Sequence, residues 1–377
     1  MRPTRVLAIA RKEMIHVLRD PRSLAVALAL PVLMLFLFGY ALTLDVDNVP
    51  LIIWDQSNTP ASRELVSGFT GSRYFSLRGY ASSYRDIEHA IDSSQALIAV
   101  VIPRNFAQQL QAGRNVDVQV IADGSDANTA TIALGYAEAV TALYSRAHLV
   151  RSFRRLGSEP PRQPLEQRPR MWFNSDIESR NYIIPALIPV IMMVIAALLT
   201  SLTVAREWER GTMEQLISTP VRGPELVFGK LIPYFVICMI DVLLAVVMAE
   251  FLFHVPFRGS LLFLALVTTV FMIGTLSIGM VISIIAKSQL LASQMAMIIT
   301  FVPGLLLSGF MTPVANMPDA IQLITRIIPA RYFVTMIRGI YLKGVGPQIL
   351  WVEGIFLLFF SVIMVTLAIA KFKKKLA

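Results

Sequence analysis

The sequence predicts an α-helical polytopic membrane protein with six transmembrane helices and a large extracytoplasmic α/β domain between the first helix and the second. Apolar side chains make up 55% of the 377 residues and charged side chains only 16%, a more apolar composition than soluble domains have. Residues 45–180 have ordinary soluble composition and the length of an independent domain. Six other stretches have the roughly 20 apolar residues that a membrane-crossing helix needs. These stretches are 23–44, 182–204, 228–251, 261–286, 290–310 and 348–370.

Residues 1–22, before the first apolar stretch, predict a cytoplasmic amphipathic elbow helix on the membrane surface. Apolar side chains recur there at helical spacing, at Val6, Ala10, Met14 and Val17. Pro21 ends this helix or begins the next one. A basic arm before an apolar run also fits a cleaved signal peptide, but this run is longer than such peptides have and no small-residue cleavage site follows it. We therefore interpret residues 23–44 as a retained first span.

Residues 45–180 alternate between short apolar strands and amphipathic helices, which predicts a small α/β domain. The predicted strands are 51–54, 75–80, 97–102 and 116–121, and the predicted helices are 61–68, 84–93, 105–112 and 129–153. The oxygen-rich turn 123–128 suggests a calcium loop but lacks the EF-hand spacing and its terminal glutamate. We interpret it as a strand end followed by a helix cap. Residues 158–169, with four prolines, read as a linker back to the membrane.

Lysine and arginine in short loops predict which side of the membrane each end faces. They concentrate in the N-terminal arm, in the connection 205–230 and in the tail 371–375, so these parts are predicted to be cytoplasmic. Six crossings place both termini on the same side, in agreement with two basic ends. The domain 45–180 is then on the opposite side, because long domains translocate largely regardless of their charge.

The segment 313–343 is moderately apolar but contains Pro329, Arg331 and Arg338. As a seventh span it would place the basic tail outside, against the charge rule. We predict instead a re-entrant element of one or two short helices in the outer leaflet, where arginines reach the headgroups. An ordinary outside loop is the alternative.

The stretch 205–220, with the sequence AREWERGTMEQLISTP, follows the second span on the predicted cytoplasmic side. Charges alternate in sign at spacings of three and four, which supports a short charged helix, at Glu207, Arg210 and Glu214. Met213 and Leu216 contribute to an apolar stripe. By themselves these residues fit a solvated loop helix equally well.

Several stretches of the chain resemble bacterial ABC-2 type permeases, a group of multidrug exporters. Besides 205–220, the resemblance includes RKEMIHVLRDPRS before the first span, LFLFGYAL at its end, DGSDANTA in the outside domain and MPDAIQLITRIIPARYF before the last span. It implies a type V exporter-like fold with a permease core at 181–377, and a coupling helix at about 205–220 that docks on a cytoplasmic ATPase. The residues it assigns to ATPase coupling are Glu207, Glu209, Arg210, Gly211, Thr212, Met213, Glu214 and Leu216.

The resemblance also implies a multi-pass protein of the bacterial inner membrane, with the large domain in the periplasm. Its implied partners are ABC ATPase subunits, a second permease copy or a paralogue, membrane lipids and, as a further candidate, a periplasmic membrane-fusion adaptor. Drug-like, lipid-like or other small substrates would be exported. ATP and Mg would be bound by the partner ATPase, not by this chain.

The sequence has neither a phosphate-binding loop of the form GxxxxGK[ST] nor the HExxH and GxSxG motifs, so we expect no enzyme activity of its own. The single cysteine, Cys238, excludes a disulfide framework and a CxxC metal site. The net charge of +9 does not indicate nucleic-acid binding, because many of the basic residues flank apolar runs instead of forming a soluble face.

Asp241 lies near the middle of the third predicted span, where a charge costs about 3 kcal/mol to insert. It is a candidate substrate or proton contact inside the membrane; a protonated, structural aspartate is the alternative. Two other classes of protein stay open at this point. An ion-driven secondary transporter would usually show repeated halves and several deep ionisable residues, and a membrane sensor or assembly scaffold would work through the domain 45–180.

Overall fold

The computed structural model describes residues 2–41, 47–155, 170, 172–174, 178–213, 215 and 219–372. Parts of four sequence-based predictions lie outside these residues: the linker 158–169, the end of the first span after Ala41, the coupling residues Glu214 and Leu216, and most of the basic tail. The chain forms two compact units, one comprising Met1–Thr43 with Arg170–Ala377 and the other Leu44–Pro169.

The N-terminal part of the first unit consists of two helices. Helix α1 is Pro3–Arg19, and its buried side chains fall on one face, at Ala10, Glu13 and Val17. Helix α2 comprises Pro21–Leu24, a π-helical stretch Ala25–Ala29 and Leu30–Ala41. A proline stands at the first turn of each helix, where its missing N–H costs no hydrogen bond. Asp20 separates the two helices, and Pro21 begins the second, which is one of the two alternatives predicted for this proline.

The second unit is an α/β fold whose strands and helices follow in the predicted order. Its elements are β1 Val49–Asp55, α3 Pro60–Thr70, β2 Phe75–Tyr80, α4 Tyr84–Asp92, β3 Ile98–Ile102, α5 Phe106–Gln111, β4 Gln119–Ala122 and α6 Ala127–Arg155. The strand order is β2-β1-β3-β4, with β4 antiparallel to β3 and the other pairs parallel. Every residue of β3 is buried, because helices cover both faces of the sheet.

The turn before α6 is a helix cap, as the sequence favours over a calcium loop. Asp126 accepts hydrogen bonds from the backbone N–H groups of Asn128 and Thr129 and from the Thr129 hydroxyl. The Thr129 hydroxyl is the main reason that the pKa of Asp126 lies below its usual value. Asp123 likewise accepts from the N–H and hydroxyl of Ser125. Both carboxylates are thus engaged by their own loop.

The rest of the first unit is helical. It contains α7 Ser179–Glu209, α8 Gly223–Val247 with a π-helical end Met248–Leu252, α9 Leu261–Ala286, α10 Gln289–Leu306, α11 Asp319–Thr325, α12 Pro329–Arg338 with a π-helical end Gly339–Lys343, and α13 Pro347–Lys371. Helix α7 is the centre of the bundle: it packs against α2, α8, α9, α10 and α12, and nearly all of its apolar part is buried.

Among the described residues, five helices are long and apolar enough to cross a membrane: α7, α8, α9, α10 and α13. The apolar stretch Ala27–Ala41 of α2 is shorter than these five, and the first predicted span continues past Ala41, outside the described residues. Helices α11 and α12 meet at 88° and together have the length and composition of one broken span or of a re-entrant loop. Six spans with a re-entrant element at 313–343 therefore stay a prediction.

Arg338, at the end of α12, joins three parts of the bundle. Its guanidinium donates hydrogen bonds to the carbonyls of Gly309 at 2.9 Å, Phe310 at 3.1 Å and Tyr182 at 3.4 Å. The Tyr182 ring lies 3.6 Å from the guanidinium carbon. The planar guanidinium group has five N–H donors and can bond to all three carbonyls at once, whereas the compact ammonium group of lysine cannot reach them in the same geometry.

We expect Arg338→Lys to lower the free energy of unfolding by about 2 kcal/mol, because hydrogen bonds from charged donors to buried carbonyls are lost. Arg326→Lys is the matched control, since Arg326 is exposed on the neighbouring helix pair and its substitution should change stability by less than about 0.5 kcal/mol. Thermal unfolding in mild detergent measures both. Equal stability of the two variants would contradict this role of Arg338.

Candidate functional site

The charged end of α7 and the connection that follows it contain most of the residues that the sequence singles out. The helix continues beyond its apolar part to Glu209, and the backbone N–H of Arg210 bonds to the carbonyls of Arg206 and Trp208. Gly211 then adopts a φ of +68°, a conformation in which glycine ends helices without strain. Helix α7 ends here and α8 begins at Gly223, so residues 210–222 connect the two helices.

A cluster of four charges, three of them buried, joins α1, α7 and α8 at this end of the bundle. Lys230 Nζ of α8 lies 2.9 Å from Glu13 Oε1 of α1 and 3.0 Å from Glu207 Oε1 of α7. Lys12 Nζ lies 3.1 Å from the same Glu207 oxygen. The exposed fractions are 1% for Lys230, 5% for Glu13 and 7% for Glu207. We call these four residues the ion cluster.

The ion cluster has two lysines and two glutamates, and its buried part is one lysine between two carboxylates, with the exposed Lys12 as the second cation. Glu207 Oε2 is buried with no hydrogen-bond partner within the described part of the chain. Because leaving one buried charge without its partner costs several kcal/mol, the three helices are bound to one another in a defined register. The ion cluster therefore fixes the elbow helix to the core.

A second group of polar contacts lies beside the ion cluster. Arg206 Nη1 lies 2.8 Å from His16 Nε2 and 3.7 Å from Asp20 Oδ2, and Arg206 Nε donates to Gln289 Oε1 at 3.3 Å. Glu209 accepts from the backbone N–H of Gln289 at 2.7 Å and from its side-chain amide. The start of α10 is thereby attached to the end of α7.

The first turns of α1 and α8 are also joined. Glu225 accepts from the backbone N–H groups of Arg2 at 2.7 Å and Arg222 at 2.9 Å, and Arg5 Nη1 lies 3.7 Å from it. Further along, a Cβ atom at Gly229 would lie 2.7 Å from Ile9 Cβ. Glycine thus permits α1 and α8 to approach closely, and α1 is held to α8 at several points along its length.

The predicted coupling residues fall into three groups in the structure. Glu209, Arg210, Gly211 and Thr212 are exposed; we call this run the docking segment. Met213 is buried in the apolar core of this chain, so the structure does not present it to a partner. Glu207 is buried in the ion cluster, so it does not present a polar contact to a partner in this conformation. Glu214 and Leu216 lie outside the described residues.

A cavity of about 380 Å³ separates the docking segment from the ion cluster. Its lining includes Lys12, Glu13, Glu207, Arg210 and Thr212. Residues of the docking segment and of the ion cluster therefore face the same cavity.

Asp241 lies on α8, 11 residues after Lys230, or about 16 Å further along the helix axis. Its side chain is 1% exposed, on the buried face that also carries Cys238, Val242 and Ala245. Neither carboxylate oxygen has a hydrogen-bond partner within the described part of the chain. This burial is consistent with a contact inside the membrane, but its role stays a prediction.

Sequence reasoning missed Glu13, Lys230 and the contacts of Arg206. A signal existed for Glu13, which stands among Ala10 and Val17 on the apolar face of α1, where a carboxylate needs a buried partner. Lys230 lies near the start of an apolar stretch and reads as a flanking charge. Nothing in the sequence pairs the two residues, which are 217 positions apart.

Comparison with known proteins adds an independent finding. A family model described as ABC-2 family transporter protein matches residues 21–370. The probable multidrug ABC transporter permease YbhS of Escherichia coli strain K12 is 37% identical over 374 residues, which cover 99% of this chain and 97% of the relative. YbhR of the same strain, also a probable multidrug ABC transporter permease, is 31% identical over 92% of each chain. The inner membrane transport permease YhhJ is 28% identical over 86% of this chain and 85% of its own length.

Proposed function

The chain belongs to the ABC-2 transporter family as a membrane-spanning permease, and from this premise we propose that it exports small molecules using ATPase subunits that are separate chains. Two of the relatives described above are named probable multidrug permeases, which favours drug-like or lipid-like substrates. The sequence contains no phosphate-binding loop. ATP and Mg would therefore be held by the partner, and this chain would carry out no bond chemistry.

The observation that best supports coupling to an ATPase is the ion cluster beside the docking segment. In this proposal an ATPase contacts Glu209, Arg210 and Thr212, and its ATP-driven closure pushes on the end of α7. Because Lys230 bonds both Glu13 and Glu207, the push reaches α1 and α8 as well as α7. Glu207 then acts as a positioning residue that holds the helices together, while the exposed residues make the contact.

The proposal includes the topology predicted from charge. The ion cluster and both termini face the cytoplasm, the unit containing β1–β4 is periplasmic, and the protein resides in a bacterial inner membrane. Two permease copies, identical or paralogous, would enclose the transport path and bind one ATPase each. The periplasmic unit offers a surface for a membrane-fusion adaptor, and Asp241 is the candidate substrate or proton contact inside the membrane.

Charge reversal in the docking segment tests the coupling. We expect the double substitution Arg210→Glu and Thr212→Lys, which leaves the contacts of Glu209 with Gln289 in place, to leave the amount of protein in the membrane unchanged. Substrate-stimulated ATP hydrolysis by the purified complex should fall about tenfold or more, since one contact between charged groups is worth about 1.5–3 kcal/mol. Hydrolysis is measured with the co-purified ATPase while candidate drugs and lipids are screened.

Arg11→Glu provides the control, because Arg11 is exposed on α1 and lines neither the docking segment nor its cavity. Full stimulated hydrolysis in the double variant would show that the docking segment is misassigned. Purification without any ATPase, together with transport driven by an ion gradient, would favour a secondary transporter. Purification with a signalling protein and no transport would favour a sensor or scaffold.

A further inference from the structure

A stripe of four residues along α7 changes from apolar to basic toward the end of the helix. Leu198, Leu202, Arg206 and Arg210 are spaced four positions apart, so they lie on one side of the helix. At 1.5 Å per residue the stripe is about 18 Å long. Its leucine half suits a hydrocarbon and its arginine half suits an acidic group.

This stripe forms one wall of a cavity of about 620 Å³, a volume within the range of small-molecule sites. The facing wall comes from the junction of α1 and α2, with His16, Arg19, Asp20 and Pro21. Tyr234 of α8 and Gln289 of α10 complete the lining. Five helices therefore contribute to the cavity.

The polar end of the cavity carries an excess of positive charge. Arg19, Arg206 and Arg210 line it against a single carboxylate, that of Asp20. The Arg206 guanidinium lies 3.7 Å from the Asp20 carboxylate. The side chains of Arg19 and Arg210 are exposed. If the negative charge of Asp20 balances the positive charge of Arg206, the guanidinium groups of Arg19 and Arg210 can contact a ligand. Guanidinium groups bind phosphate and carboxylate through paired hydrogen bonds.

We propose that this cavity binds one anionic amphiphile. Its phosphate or other acidic group contacts the arginines, and its apolar part lies along Leu198 and Leu202. Basic pockets between membrane helices are sites of this kind for acidic lipid headgroups. The inference does not depend on the ATPase, because it concerns binding by this chain alone. An anionic phospholipid of the surrounding leaflet and a free phosphate ion share the acidic group, and the experiment separates them.

Native mass spectrometry of the full-length chain in an uncharged detergent tests the proposal. The chain is titrated with phosphatidylglycerol, with phosphatidylcholine of the same acyl chains, and with inorganic phosphate. We expect one phosphatidylglycerol per chain, bound at least about tenfold more tightly than phosphatidylcholine, since the zwitterion lacks the net charge that the arginines bind. Equal binding of the two lipids would refute the charge preference. Phosphate binding as tight as that of phosphatidylglycerol would show an anion site without an amphiphile.

Two arginine variants locate the site. Arg19→Gln and Arg210→Gln should each weaken phosphatidylglycerol binding about tenfold, while Leu202→Asn weakens phosphatidylglycerol and leaves phosphate competition unchanged. Arg11→Gln is the matched control, since it removes the same charge from an exposed position of α1 that lines neither cavity. Unchanged binding in both arginine variants, or an equal loss in the Arg11 control, would overturn the proposal. Arg19 lies outside the docking segment, so loss of lipid binding in its variant is separable from a failure of ATPase coupling.

Discussion

Replacing Lys230 by methionine is expected to lower the free energy of unfolding by about 3–5 kcal/mol, the usual cost of removing one partner from a buried ion pair. Lys230 is 1% exposed and bonds Glu13 and Glu207 at the same time. Without its ammonium group, two carboxylates are left buried, with only Lys12 nearby. Equilibrium unfolding in mild detergent measures the loss, and substrate-stimulated ATP hydrolysis should fall with it.

Lys12 offers a matched control within the same cluster. Its ammonium group contacts Glu207 at 3.1 Å, but the side chain is 61% exposed, so Lys12→Met should cost less than about 1 kcal/mol. The double variant Glu13→Met and Lys230→Met should recover part of the stability, because one buried carboxylate is removed together with the lysine, while Glu207 keeps its ion pair with Lys12. A Lys230→Met variant as stable as Lys12→Met would contradict the account of the ion cluster.

Adding a single methyl group at Gly279 is expected to lower the free energy of unfolding by about 3 kcal/mol. A Cβ atom at Gly279 of α9 would clash with the backbone carbonyl of Ala197 and with the Thr200 hydroxyl of α7. The Thr200 hydroxyl also donates a hydrogen bond to the carbonyl of Leu276 in α9 at 2.9 Å. Moving α7 away from α9 would therefore break this hydrogen bond. Backbone carbonyls do not move aside as flexible side chains do.

Gly354→Ala is the control for Gly279→Ala, because it makes the same change inside another long apolar helix, α13. Its added methyl group would lie 3.7 Å from Met336 Cε, an ordinary contact, and alanine is favoured over glycine in helices by about 1 kcal/mol. This variant should be as stable as the parent protein or more so. The same assay compares the two variants, and equal stability would show that α7 and α9 are not in close contact at Gly279.

Much of the helical architecture follows from the sequence because the length and composition of an apolar run are local properties. Five of the six predicted spans match helices that are long and apolar enough to cross a membrane. Pro329 lies at the start of α12, where the chain bends by 88°, and Arg338 binds carbonyls at the other end of that helix. The segment 313–343, for which the sequence predicts one or two short helices, thus contains the two short helices α11 and α12.

The ion cluster shows what the sequence does not reveal. Lys230 sits at the edge of an apolar stretch, where lysine usually reaches water, yet it is buried because α1 covers it. Glu207 belongs to a run in which charges of opposite sign recur at helical spacing, a pattern that is typical of solvated helices. Its ion-pair partners nevertheless come from α1 and α8 and not from its own helix. Such pairs depend on how helices pack, and one sequence gives no measure of which distant residues meet.

Helix α7 is held near both of its ends. Arg338 binds the carbonyl and the ring of Tyr182 at one end, and the ion cluster binds Glu207 at the other. The 31 residues of α7 give a rod of about 46 Å, and neighbouring helices bury nearly all of its apolar part. Such a rod is a lever with a central fulcrum: a tilt of about 5° would move each tip by about 2 Å, in opposite directions. A small displacement of the charged end of α7 would therefore be accompanied by a displacement of the far end in the opposite direction.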